Sequence, residues 1–231
     1  MSPTSERMPA VFFGHGNPMN AIERNRYSEA WKAFGKQIPT PRAIVAVSAH
    51  WYITETSVTA MPWPKTIHDF YGFPEALHRV EYKAPGDPEL ARALHDLIRP
   101  TVVDLDVGDW GLDHGTWSVL THVRPQADIP VVQLSIDLTQ PAEYHLDIGR
   151  RIGALRDQGV LVLGSGNIVH NLGAVNFDPR AKPFDWAVRF DAAVQRHLHE
   201  GENEALLRYE EHPDGHLAVP TPDHYLPLLY V

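Results

Sequence analysis

Ala43-Ile-Val-Ala-Val47 runs directly into Ser48-Ala-His-Trp51. Five apolar residues in succession, three of them β-branched, read as a strand buried on both faces, because a half-exposed strand would alternate apolar with polar. Two other stretches repeat the pattern. Ala10-Val-Phe-Phe-Gly14 leads into His15 and Gly16. Val160-Leu-Val-Leu163 leads into Gly164-Ser-Gly-Asn167 and then His170. A fourth apolar run, Pro130-Val-Val-Gln-Leu-Ser135, carries its proline where only a strand start tolerates one.

Amphipathic stretches lie between these runs. A helix is predicted over 24–37, with Ala30, Trp31 and Phe34 on one side and Pro39 and Pro41 to stop it. Asp87 as N-cap and Pro88 at the first helical position open another, to Ile98. Further helices are predicted over 116–123, 140–158 (closed by Gly159), 184–200 and 202–210. Short strands fit 56–61, at a sheet edge, and 101–105. Residues 62–86, rich in proline, glycine and aromatics, read as a long functional loop. Strands alternating with helices from end to end predict an α/β fold: a single catalytic domain over 1–231, with a mostly parallel central sheet flanked by helices. The ligand crevice of such a sheet lies beyond the carboxyl ends of its strands, so a metal site is expected there.

Composition narrows the chemistry. The 231 residues include no cysteine, which excludes disulfide frameworks, thiol catalysis and thiolate-held metals. Twenty Lys and Arg against 29 Asp and Glu give a formal charge of −9. That balance argues against nucleic acid or an anionic membrane as partner and fits a cytoplasmic protein. The polar stretch 1–8 lacks the apolar core of a signal peptide. The chain ends on Leu228-Leu-Tyr-Val231, which predicts an exposed apolar end and a natural protein that continues past it. Oligomeric state has no sequence signal.

Fourteen histidines make imidazole the main metal donor available. His15, His50 and His170 each follow a buried strand through small residues, which lets three imidazoles meet at one sheet edge. Such a cluster suits Zn, Fe, Cu or Ni, and an open coordination position would make the metal catalytic. The alternative for each is a loop cap or a satisfied buried group. His114, in Asp113-His-Gly-Thr-Trp117, lies beside a carboxylate able to fix its tautomer, which suits proton transfer; a helix-entry hydrogen bond is the plainer reading. His224 follows Thr221 and Pro222 and is predicted in the first turn of a last helix, with Thr221 as N-cap. His197, His199, His212 and His216 read as solvated surface. Gly164-Ser165-Gly166 fails as a nucleophile elbow because position 163 is Leu, and no third glycine completes a dinucleotide loop after Gly14 or Gly164.

Six blocks carry a resemblance: Gly14-His-Gly-Asn-Pro-Met19, Val47-Ser-Ala-His-Trp51, Thr66-Ile-His-Asp-Phe70, Gly111-Leu-Asp-His-Gly-Thr-Trp117, Gly164-Ser-Gly-Asn-Ile-Val-His-Asn171 and Thr221-Pro-Asp-His-Tyr-Leu-Pro-Leu228. In this order they resemble the class III extradiol ring-cleavage dioxygenases, and within them the 4,5-DOPA extradiol dioxygenase group. Asn17 departs from the serine more usual there. The resemblance implies His15 and His50 as metal ligands and His224 as a further one. It leaves His170 as ligand or acid/base and makes His114 an acid/base histidine that either backs the ligands or faces the substrate. It implies one divalent metal, Fe(II) for activity, with Zn able to fill the same site. A small DOPA-like catechol and O2 are the implied partners. The 62–74 loop and Trp51 could wall the aromatic ring, with His68 either near the ligands or a loop residue. Two competing readings share the scaffold: a zinc-dependent hydrolase and a non-enzymatic, Memo-like binding protein.

Overall fold

Alternation along the central strands builds two cores, one on each face of a single sheet. The structure is a computed structural model that describes residues 7–176, 178 and 180–231. Most of the polar stretch 1–8 lies outside the described residues. In chain order the described elements are β1 Ala10–Gly14, α1 Arg26–Gln37, β2 Ala43–Ile53, β3 Ser57–Thr59, β4 Lys65–Thr66, α2 Glu75–His78, α3 Pro88–Leu97, β5 Asp104–Asp106, β6 Gly111–Leu112 and α4 His114–Val123. Then come β7 Val131–Asp137, α5 Ala142–Ile152, β8 Val160–Gly166, α6 Asp185–Glu200, α7 Asn203–Leu207 and α8 Gly215–Ala218, with short 3-10 turns between and after them.

Six strands form the main sheet in the order β1-β8-β2-β7-β3-β5. All neighbours are parallel except β3 and β7. Val45, Val47, Val132, Leu134, Val160 and Val162 face α3, α5, α6 and the chain's last turns. Ile44, Ala46, Val131, Leu161 and Leu163 face α1 and α4. Burial on both faces is why these strands read as unbroken apolar runs. Each fully buried Val, Leu or Ile contributes roughly 1.5–3 kcal/mol against exposure.

Several boundaries move from expectation, each for a local reason. Helix α1 begins at Arg26 because Asn25 and Ser28 form a capping box. Strand β2 continues to Ile53, since it re-engages β7 beyond a register shift between Val47 and Tyr52. His50 therefore sits within the strand's tail rather than after it. The 56–61 segment shortens to β3 and is not an edge, because β5 pairs outside it. The 140–158 helix is α5 followed by a 3-10 turn, Gly153–Gln158. The long loop holds β4 and α2.

The chain's end corrects a further expectation. Leu226, Leu228, Leu229 and Tyr230 are buried rather than exposed, because the 3-10 turn Leu226–Tyr230 packs against α5 and β8. Tyr230 Oη lies 2.7 Å from Nδ1 of the buried His145. The preceding turn, Pro222–His224, is a three-residue 3-10 turn that Thr221 does not cap, so His224 closes it instead of opening a helix.

Burial lowers the His145 pKa to about 4. The unfolded chain binds a proton there below about 6.5, and the native protein resists doing so until about 4. This contribution to stability is therefore complete above pH 6.5 and lost as pH falls through that window, up to about 3 kcal/mol. Denaturant midpoints measured from pH 7 to 4.5 should fall, and less steeply in His145→Gln. Parallel slopes for the two proteins would rule out this role for His145.

Candidate functional site

The carboxyl ends of β1, β2 and β8 lie side by side, with Gly14 opposite Gly166 and Ser48 opposite Ser165. His15 extends the ladder: its backbone N–H donates to Gly166 O at 3.0 Å. Its carbonyl accepts from Asn20 Nδ2 at 3.0 Å. The ring is held as firmly. Ser165 Oγ donates its proton to Gly115 O at 2.6 Å, so at 2.9 Å from His15 Nδ1 it can only accept. His15 Nε2 is left with a lone pair.

His50 Nε2 lies 3.2 Å from that atom. On its other side His50 Nδ1 is 3.3 Å from Asp69 Oδ2. The same oxygen takes His114 Nδ1 at 2.9 Å, and Asp69 Oδ1 accepts the His114 backbone N–H at 2.9 Å. Burial works against the Asp69 charge, but its bonds from His114 hold its pKa below the usual carboxylate value. An ionised carboxylate only accepts, so His114 presents Nδ1–H to it, while His50 Nδ1 stands beside the same oxygen without hydrogen-bond geometry.

His224 completes the cluster from the C-terminal turn. Its ring centre is 5.1 Å from those of both His15 and His50, and its Nδ1 bonds the Asp223 carboxylate. His170 stacks on His224 with ring centres 3.4 Å apart and planes 12° apart. Donor atoms of His15, His50 and His114 all lie within 4.8 Å of one another, and those of His170, Asp223 and His224 do likewise. All five predicted histidines thus converge, and His114 falls in one group with His15 and His50.

The donors fit a metal cation. The His15 Nε2 lone pair faces His50 Nε2 at 3.2 Å, a place that either a His50 N–H or a cation can fill. An extra proton on the pair is disfavoured, since burial and neighbouring imidazoles hold His15 well below its usual pKa and His50 at about 3, so both rings stay neutral and able to ligate. Two imidazole nitrogens on one ion, each bonded at about 2.1 Å, stand about 3.0–3.4 Å apart. His170, lowered to about 4 mainly by burial, is also neutral and able to ligate.

Other expectations resolve differently. The carboxylate beside His114 in sequence does not touch its ring. Asp113 instead caps α4, accepting from Thr116 N at 3.1 Å, and takes the Ser48 hydroxyl at 2.7 Å and the Gln133 amide. Burial pushes its pKa up to about 6. The partner of His114 is Asp69, which sequence spacing alone could not select from across 45 residues. Ser165 and Asp223 were also visible only as parts of motifs. His68 donates Nε2–H to Val80 O at 2.9 Å and packs against Phe70 and Trp117, a loop role. Trp51 stacks on Trp110 at 5.8 Å.

Close backbone approach holds the cluster together. A Cβ on Gly115 would come within 2.4 Å of Ser48 Oγ, and one on Gly166 within 2.1 Å of His224 O.

Residues 12–230 match the family described as the catalytic LigB subunit of aromatic ring-opening dioxygenase. The chain belongs to this family. It is 51% identical to an Escherichia coli (strain K12) protein named 4,5-DOPA dioxygenase extradiol, with 99% of this chain and 85% of that one aligned. A Beta vulgaris protein of the same name is 39% identical, over 94% of this chain and 83% of its own length. A crystal structure described as an uncharacterized protein of E. coli K12 superposes with a TM-score of 0.85 at 46% identity, covering 97% of this chain and 88% of that one. The protein is therefore an aromatic ring-opening dioxygenase, an oxidoreductase acting on a small aromatic substrate with O2. Dioxygenases of this family use a non-haem metal. No described helix is long and apolar enough to cross a membrane.

Two substitutions probe the scaffold. Gly166→Ala should force His224 off β8, costing about 1–3 kcal/mol in urea unfolding and weakening Co(II) binding in a chelator competition. Unchanged Co(II) affinity would show that this contact does not set the position of His224. Ser165→Ala should free the His15 ring and reduce Co(II) affinity about 10–100-fold. Wild-type affinity would mean that the serine is dispensable for holding the ring.

Proposed function

We propose that this protein is an extradiol dioxygenase that opens the ring of a small, DOPA-like catechol on one divalent ion, with Fe(II) the active metal. The observation that carries the reading is the facing pair of imidazole nitrogens, His15 Nε2 and His50 Nε2, in a chain of this family. His15, His50 and His224 are the proposed ligands. A bound Fe(II) would supply Lewis acidity and the electrons that O2 activation requires, whereas Zn(II) in the same imidazoles would be silent toward O2.

The chain's own groups manage protons and position. His114 is buried, with Nδ1–H committed to Asp69, so Nε2 is the atom that accepts a proton from a catechol hydroxyl as the substrate binds. His170 has two candidate roles, fourth ligand and acid/base. Its stacking on His224 and its lowered pKa suit either one. The acidic composition supports a cytoplasmic setting.

The test is anaerobic reconstitution with Fe(II), then O2 uptake and visible absorbance with L-DOPA and a panel of small catechols. Stoichiometric O2 consumption with a coloured ring-opened product is expected, and His15→Ala should reduce it to background. In His170→Ala, lost iron would mark a ligand. Retained iron with kcat about 10²–10⁴-fold lower would mark an acid/base group. Iron-loaded protein that consumes no O2 with any catechol would overturn the reading.

A further inference from the structure

Asp69 lies in the 62–86 loop, remote in sequence from every histidine it touches. Its carboxylate takes two donors, the His114 ring on Oδ2 and the His114 backbone N–H on Oδ1, and His50 Nδ1 stands 3.3 Å from Oδ2, close enough to feel its charge. The backbone donor is the first N–H of α4, so the carboxylate also complements the helix's positive end. His114 is 4% exposed, so water does not compete freely for its bonds.

We propose that Asp69 is a positioning residue that holds His50 and His114 with the proton on Nδ1, leaving Nε2 of each as the free acceptor. One carboxylate thereby sets the tautomer of a metal ligand and of the group that receives the substrate's proton. A neutral imidazole carries one N–H, so a proton fixed on Nδ1 is a proton excluded from Nε2. His114 Nδ1 bonds one oxygen and His50 Nδ1 stands 3.3 Å from it, so losing the carboxylate removes at once the negative charge that favours a proton on each Nδ1.

Asparagine tests this sharply, because it keeps the shape and replaces one acceptor with a donor. The His114 backbone N–H cannot change, so it takes the amide oxygen. The amide NH2 then faces the two rings and can bond them only if Nδ1 gives up its proton. Asp69→Asn should therefore move the proton to Nε2 in one or both rings. Asp69→Glu keeps two acceptors.

The proposal rests on reading His50 as a ligand and His114 as the proton acceptor, but its first test needs neither metal nor catechol. Two-bond 15N–1H correlation spectra of the metal-free full-length chain report which ring nitrogen is protonated, with peaks assigned from single histidine variants. The wild type should show Nδ1 protonated in both His50 and His114. In Asp69→Asn at least one ring should switch, and Co(II) affinity should fall about 10–100-fold, with partial recovery in Asp69→Glu. A wild-type spectrum with Nδ1 of either ring unprotonated would overturn the proposal, whether or not the variants fold. So would a folded Asp69→Asn protein with unchanged tautomers. Absence of ring-opening activity beside the expected tautomers would count against the proposed function alone.

Discussion

Two imidazole nitrogens face each other at 3.2 Å, and much of the site's surroundings serves to keep them there. The other nitrogen of His15 is engaged by a serine whose own proton is used elsewhere, and that of His50 lies 3.3 Å from a carboxylate oxygen. Burial and the surrounding imidazoles also make protonation costly. What results is a cluster of neutral imidazoles able to hold a cation, shaped by hydrogen bonds one layer behind the donors.

That arrangement needs backbones closer together than side chains normally permit. Gly166 lets the C-terminal turn lie on β8 and brings His224 into the group. Gly115 lets α4 settle onto β2, which puts His114 against His50 with ring centres 3.9 Å apart. Beneath both, Asp113 ties the start of α4 to Ser48 of β2 and Gln133 of β7. The polar layer is thus continuous with the sheet. The apolar alternation along β2, β7 and β8 then makes that sheet a stiff support.

Much of this was legible in the residues. Unbroken apolar runs identified the central strands because a strand covered on both faces has no polar side to show. The Asp87-Pro88 start of α3 was equally plain, since capping chemistry is local. His15, His50 and His170 stood out because each follows such a run through small residues. The extension of β2 past His50 was not legible, because it depends on re-pairing with β7 after a register shift. Neither was the burial of the last turn, which needs α5 and the β8 glycines beside it.

By itself the sequence determined the α/β class, the main strands, and the histidines that converge, since periodicity, capping and residue chemistry are properties of neighbours along the chain. Only the tertiary structure decided which partner each ring has. Asp113, adjacent to His114, caps its helix, while Asp69, 45 residues away, holds its ring. A hydrogen bond of this kind requires a donor and an acceptor about 3 Å apart in space, and only chain folding sets that distance.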